Sequence, residues 1–303
     1  MKKILTAVSA IILFASCQKE ISFDDGNNGG GTGSGGSGNT SGLLVKSIGV
    51  TGPETTTTLY TYDAQKRLET ITITSIGGSL PMNSYSKFIR DNSGRIVKVL
   101  QKLGDFAGAT SDTAVKIIHY PNATSLDYDY SVNTMRADFG GMVMTTIDSS
   151  VYAYAGGKMT SYAGYLFSVM PALPPMPPSE SRTDFGYDAS DRVITMKVYN
   201  DQVGAGTLGL FADYKYTYAS TSINNLYLSA NGAQNFAMHS LPNTSGHVIA
   251  KMETVSNATS PPLNMTLTTS FVNGAGNKPV TATATSVTTG QPNQTTNYTF
   301  FYQ

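Results

Sequence analysis

The sequence predicts an all-β protein: an antiparallel meander of about 16–17 strands, built from repeated hairpins and rolled into a barrel-like or strongly curved sheet. Three observations predict it. Thr, Ser, Gly, Asn and Tyr are plentiful while charged residues make up only 13% of the chain, which suits half-buried strands joined by turns. A hairpin pattern recurs from residue 43 to the C-terminus. No stretch shows a sustained amphipathic helical period.

Met1-Lys2-Lys3 is a short basic segment, and Ile4 to Phe14 is an apolar run of 11 residues, the length of a secretory signal and too short to span a bilayer as a helix. It leads into Leu13-Phe14-Ala15-Ser16-Cys17, which resembles the lipobox of bacterial lipoproteins, with Phe14 in place of the usual aliphatic residue. The resemblance implies cleavage after Ser16 and acylation of Cys17. That is the only cysteine, so the chain forms no internal disulfide. Residues 1–16 are accordingly read as a lipoprotein signal, and membrane attachment is expected through Cys17. Gln18-Lys19-Glu20 resembles the tag that sends Bacteroidetes lipoproteins to the cell exterior; the periplasmic face is the alternative. Residues 26–42, GNNGGGTGSGGSGNTSG, complete a flexible tether over 17–42. Its Gly/Ser/Asn-rich part has a mean span of roughly 20–25 Å.

Residues 43–303 are read as a single repetitive β domain. Three copies of the repeat are sharp: TLYTYDAQKRLETI from Thr58, YSKFIRDNSGRIVKVL from Tyr85 and SRTDFGYDASDRVITMKVY from Ser181. An aromatic-containing strand stops at Asp63, Asp91 or Asp188, and Arg67, Arg95 or Arg192 precedes an aliphatic residue after the turn. Weaker copies lie at 117–130, 150–162, 212–228, 237–252 and 268–283. Asp or Asn accepts backbone bonds in such turns, glycine supplies positive φ, and β-branched or aromatic residues resume pairing. Alternation places Tyr214, Tyr216 and Tyr218 on one face, Leu126, Tyr128 and Tyr130 on another, and Val280, Ala282 and Ala284 on a third. The sharp copies resemble the YD hairpins of Rhs-type surface proteins. Together with the lipobox they resemble a Bacteroidetes surface lipoprotein family of unknown function, which implies a porin-like antiparallel meander and assigns no catalytic residue.

Strands that read as shorter than about 9–11 residues, with Lys, Asp and Glu on their polar faces, argue against an integral barrel. The 20 basic and 20 acidic residues cancel, which offers no field for nucleic acid. His239 and His247 flank a turn but lack the further ligands of a metal site. Asp63, Asp91, Asp188 and Asp191 read as turn residues rather than paired catalytic acids. No phosphate loop or nucleophile elbow is present, and no cofactor is expected. Two other sites are candidates. The loop Pro171, Leu173, Pro174, Pro175, Met176, Pro177 and Pro178 is stiff and apolar, a candidate contact for an envelope protein or glycan. Asp112-Thr113-Ala114 resembles the Bacteroidetes O-glycosylation acceptor, which implies a glycan on Thr113. The expected function is a lipid-anchored envelope protein with a non-catalytic binding or structural role. A glycan-active envelope enzyme and an accessory subunit of an outer-membrane nutrient-uptake complex are the alternatives.

Overall fold

The computed structural model describes residues 43–78, 82–102, 110–138, 140–170, 178–201, 207–222, 237, 247–258, 261–275 and 278–302. Within them the three sharp copies of the repeat make the same loop. The Asp63 N–H donates to the Arg67 carbonyl and the Lys66 N–H to the Asp63 carbonyl, both at 2.9 Å, and the Asp91 and Asp188 turns repeat both bonds. One oxygen of each Asp carboxylate accepts the N–H groups two and four residues on, and the other accepts the Arg Nε. The third loop residue is left-handed, with φ of 85° at Gly94, 61° at Lys66 and 64° at Asp191, as a three-residue hairpin requires. Asp63, Asp91 and Asp188 are therefore turn residues as expected. Asp191 is a turn residue too, in the left-handed position, and it also pairs with Lys158 of the preceding hairpin.

These turns connect long strands. The first eight are β1 (Leu44–Thr51), β2 (Glu54–Tyr62), β3 (Leu68–Ile76), β4 (Met82–Arg90), β5 (Ile96–Lys102), β6 (Thr110–Ser111), β7 (Ala114–His119) and β8 (Tyr130–Asp138). The rest are β9 (Val143–Ala155), β10 (Lys158–Val169), β11 (Ser179–Tyr187), β12 (Val193–Asn200), β13 (Gly209–Ser222), β14 (His247–Ser256), β15 (Leu263–Asn273), β16 (Pro279–Thr288) and β17 (Gln294–Tyr302). Every neighbouring pair is antiparallel, and β1 pairs with both β2 and β17, which closes the sheet into a barrel. Sixteen strands form the ring; β6 is a two-residue extension beside β8. Closure removes the exposed edges that an open meander would leave.

Two sequence expectations change. The copies at 212–228 and 237–252 are expected as two hairpins, whereas among the described residues β13 and β14, one strand from each, pair with each other from Ala212↔Ser256 to Ser222↔His247. β1, which lies outside every copy of the repeat, also joins the ring. The strands are also longer than they read, with β9, β10 and β13 at 13, 12 and 14 residues, so length does not separate this barrel from a membrane one.

The barrel has two unlike ends. At the end carrying the three sharp turns, the first inward residue of each returning strand is almost completely buried: Leu44, Leu68, Ile96 and Val193 at 0% and Met159 at 1%. A register shift follows each of these residues. Such β-bulges bend a strand and free a backbone group. The carbonyl of the same inward residue then accepts a bond from the strand ahead. Tyr62 donates to Leu44, Tyr120 to Ile96, Tyr187 to Met159 and Tyr218 to Val193, and Arg90 donates to Leu68. Tyr154 and Tyr302 bond Tyr128 and Pro279 in the same way. Tyr60, Phe88, Ile118, Tyr152, Phe185, Tyr216 and Phe300 form the next layer, none more than 8% exposed. Inward side chains this covered mean that water is excluded from this plugged end.

The outer face carries charged residues on four neighbouring strands. Arg182 and Asp184 on β11, Lys197 on β12, Asp213 and Lys215 on β13, and Lys251 and Glu253 on β14 alternate with inward residues in mid-strand. Each charge at a bilayer midplane costs about 2–4 kcal/mol for Arg or Lys. The expected argument against an inserted barrel then rests on these charges and not on strand length. A different sector, β7–β10, turns Ile117, Tyr130, Ile147, Val151 and Tyr165 outward and exposed. Tyr130 points away from Tyr128 because the strand is irregular at Asp129, so these two do not share a face as alternation predicts.

Candidate functional site

Away from the plug the interior changes character. Inward Gln101, Leu166 and Gln294 are exposed, so water reaches the inside of the barrel at its other end, its mouth. The chain connections 103–113, 170–178 and 201–208 all join strands at that end, on the arc from β5 to β13.

On the same arc the inward rows become polar. Lys116, Asn133, Asp148, Leu166 and Ser179 stand side by side across β7–β11. One step nearer the plug, Ser131, Ser150, Gly164, Ser181 and Asn200 form the next row. Below them come Tyr152 and Tyr162, with ring centroids 5.8 Å apart, and then Phe185, 6.3 Å from Tyr162. Ser131 and Tyr152 share a hydrogen bond at 2.8 Å.

Three oxygens converge over Gly164. A Cβ placed there would stand 2.6 Å from Ser181 Oγ, 3.8 Å from Asp148 Oδ1 and 3.9 Å from Ser150 Oγ. Glycine suits this buried position, because a side chain there would run into Ser181 Oγ. Asn133 Oδ1 and Asn200 Oδ1 are buried with no hydrogen-bond partner among the described residues. Burial raises the Asp148 carboxyl above the ordinary carboxylate range, against a smaller lowering effect from the Lys116 charge. Buried acceptors without donors are costly in a folded protein and are rare for that reason. These two stand on β8 and β12, to either side of Gly164 on β10, along the polar arc. Chemically, the arrangement is a set of acceptors with one cation, above an aromatic floor.

The sequence reading missed this niche. Period-2 alternation through IDSSVYAYA puts Asp148 and Ser150 on the face of Tyr152 and Tyr154, and an acid on an aromatic strand face was the available signal. The sites it did single out lie elsewhere. Thr113 is exposed on the link between β6 and β7, beside Asp112, which pairs with Arg136 at 3.3 Å. Pro178 is exposed at the start of β11, while Pro171, Leu173, Pro174, Pro175, Met176 and Pro177 lie outside the described residues. Cys17 and His239 also lie outside them. No group of three or more His, Cys, Asp or Glu suited to a metal occurs among the described residues. His119 pairs with Asp129 at 2.7 Å and stacks on Tyr130 at 4.3 Å, on the outer face.

No known protein-family pattern matches the chain, and no curated protein matches it in sequence. Among solved structures, it is similar to a porin-like protein from Bacteroides vulgatus ATCC 8482, with a TM-score of 0.50 and 10% identity, over 86% of this chain and 99% of that one. A porin-like protein from Bacteroides uniformis ATCC 8492 matches with a TM-score of 0.47 and 11% identity, over 87% and 98%. At such identity the likeness to the first is one of fold: an antiparallel meander closed into a porin-like barrel.

Proposed function

We propose that this chain is a cell-envelope lipoprotein whose barrel stands in water, tethered through acylated Cys17, and binds ligand non-catalytically in its mouth. The observation that carries the binding role is the polar inward arc from β7 to β12 at the mouth, where Lys116, Asn133, Asp148 and Asn200 line the interior. The fold's likeness to a porin-like protein fits an envelope location, and the charged outer strands favour a tethered barrel over an inserted one. β1 starts at the plugged end, so a tether leading to Leu44 attaches there and directs the mouth away from the membrane. Outward transfer of the anchor, as the Lys19-Glu20 segment suggests, then presents the mouth to the cell exterior. A glycan-active enzyme of the usual kind needs a pair of carboxyls. The residues paired with Asp148 across the sheet are Asn133 and Leu166, neither of them acidic.

Labelled palmitate fed to cells should enter the wild-type protein and be absent from a Cys17→Ser variant. Label retained in the variant would contradict acylation at this residue. Thr113 remains a proposed glycan acceptor, and its exposure supports that reading. The intact mass of the native protein should exceed the peptide mass in the wild type and lose the excess in Thr113→Ala. The 171–178 connection is proposed as a partner contact at the mouth; exchanging it for Gly/Ser residues should abolish co-purification of any envelope partner.

A further inference from the structure

We infer that the outward face of β7–β10 is the contact between two copies of this chain, related by a two-fold axis that runs along the strands between β8 and β9. Ile117, Tyr130, Ile147, Val151 and Tyr165 lie close together on that face and are exposed. Val151, the most open of them, is 54% exposed. Elsewhere on the outer face exposed apolar residues stand singly. Leu59, for example, lies between Thr57 and Thr61 on its own strand and beside Lys46 and Thr72 on the neighbouring ones. The β7–β10 face covers four strands by about five residues, roughly 15 by 20 Å, which is in the range of apolar patches that serve as interaction surfaces.

The charges at its edges point to a second copy as the partner. One outward row reads Lys98, Ile117, Val132, Ser149, Tyr165 and Glu180 across β5 and β7–β11. It has a cation at one end, an anion at the other, and no charge between. Neither Lys98 nor Glu180 has an ion-pair partner among the described residues. The centre of the row falls between β8 and β9. A half-turn about an axis along the strands at that centre lays the row on its own copy in reverse. Lys98 of each chain then faces the partner's Glu180, and Ile117 faces the partner's Tyr165. In the next row Tyr130 faces the partner's Val151. An axis across the strands would instead set Lys98 against Lys98, so charge complementarity selects the first. The two faces then pack with their strands aligned. A strand tilt of roughly 35–45° makes a barrel curve less along such a row than around its waist, and the long Lys98 and Glu180 side chains span the gap at the edges. β10 stands eight strands from β1 in either direction round the ring, so the contact leaves the start of the β domain free for its tether. An interface this small is weak in solution. Two copies held on one membrane by the proposed anchors meet at a higher effective concentration.

The test follows the full chain as Cys17→Ser by sedimentation velocity from micromolar to near-millimolar concentration. The expected result is a reversible equilibrium between monomer and dimer. Val151→Lys should weaken the dimer at least tenfold, because it brings two cations close to the axis. Val272→Lys, at an exposed apolar position on β15, should leave it unchanged. Lys98→Glu and Glu180→Lys should each weaken the dimer at least threefold, and the two together should restore it, since the exchanged charges again face each other. Recovery in the double variant cannot come from a chain that the single changes unfold. A monomer at every concentration would overturn the proposal. A dimer that survives Val151→Lys would place the contact on another face, and a double variant that fails to recover would contradict the axis. Flotation of the same chain with vesicles of phosphatidylethanolamine and phosphatidylglycerol, lost in Val151→Lys and without any dimer, would make the bilayer the occupant and overturn the second copy.

Discussion

At residue scale the fold rests on Asp-Arg turns whose chemistry is local. Burial alone would raise the Asp63, Asp91 and Asp188 carboxyls. The Arg side chain and backbone N–H groups that each accepts outweigh it, so all three titrate below the ordinary carboxylate range. A carboxyl whose folded pKa is depressed stabilises the protein above its unfolded pKa, near 3.9, and that stability is lost as pH falls through the folded value. A variant with all three changed to Asn should therefore have a lower urea midpoint than the wild type at pH 7, with the gap narrowing toward pH 3. A gap of the same size at both pH values would contradict the ionic contribution. Lys66 makes a second prediction. It holds φ of 61° where the second turn uses Gly94, and an L-residue in that conformation costs roughly 1 kcal/mol. Lys66→Gly should gain about 0.5 kcal/mol, the strain relief less the extra chain entropy of glycine, read from urea unfolding. Asp191→Gly, which also gives up the pair with Lys158, should not gain. These turns were legible in the sequence because the bonds that shape each loop fall within five residues. The pairing of Asp191 with Lys158 was not, because the two are 33 residues apart.

At element scale, hairpins are joined by bonds that run sideways around the ring. Each Tyr hydroxyl at the plugged end reaches a carbonyl 18 to 28 residues upstream, next to a bulge. The sequence shows a Tyr before Asp63 and Asp188 but gives no sign of the acceptor. The bulges hide for the same reason, since one extra residue does not disturb the repeat. Burial, with nearby charges, raises the Tyr62, Tyr154, Tyr187 and Tyr302 hydroxyls well above the usual phenol range. They stay protonated and donating over any pH at which the protein is handled. Tyr62→Phe keeps the ring and leaves the Leu44 carbonyl without its donor, so it should cost about 1–2 kcal/mol. Arg90→Met should cost at least as much, because the guanidinium bond to the Leu68 carbonyl at 2.7 Å is charge-assisted. Chemical denaturation of each single variant measures both; no loss in either would mean that the sideways bonds do not stabilise the ring.

At the scale of the whole molecule, closure depends on β1 meeting β17, a pairing between residues 44–50 and 297–302. Hairpin grammar gives the strand total but cannot say that the ends join, since no local feature of β1 refers to β17. The mouth is equally a product of closure: Lys116, Asp148 and Asn200 come from three separate hairpins and share an arc only because the sheet curves. The division into leader, tether and β domain, on which the proposed attachment rests, is an expectation from the sequence, and residues 1–42 lie outside the described ones.

The measurement that bears most directly on a barrel standing in water and held by its anchor is the fractionation of a Cys17→Ser variant of the full chain. Freed of its lipid, it should leave the membrane fraction, pass through gel filtration without detergent as a compact species, and give a β-rich circular dichroism spectrum. A variant that stays with the membrane after alkaline carbonate washing, and is extracted only by detergent, would show a barrel inserted in the bilayer and contradict the account.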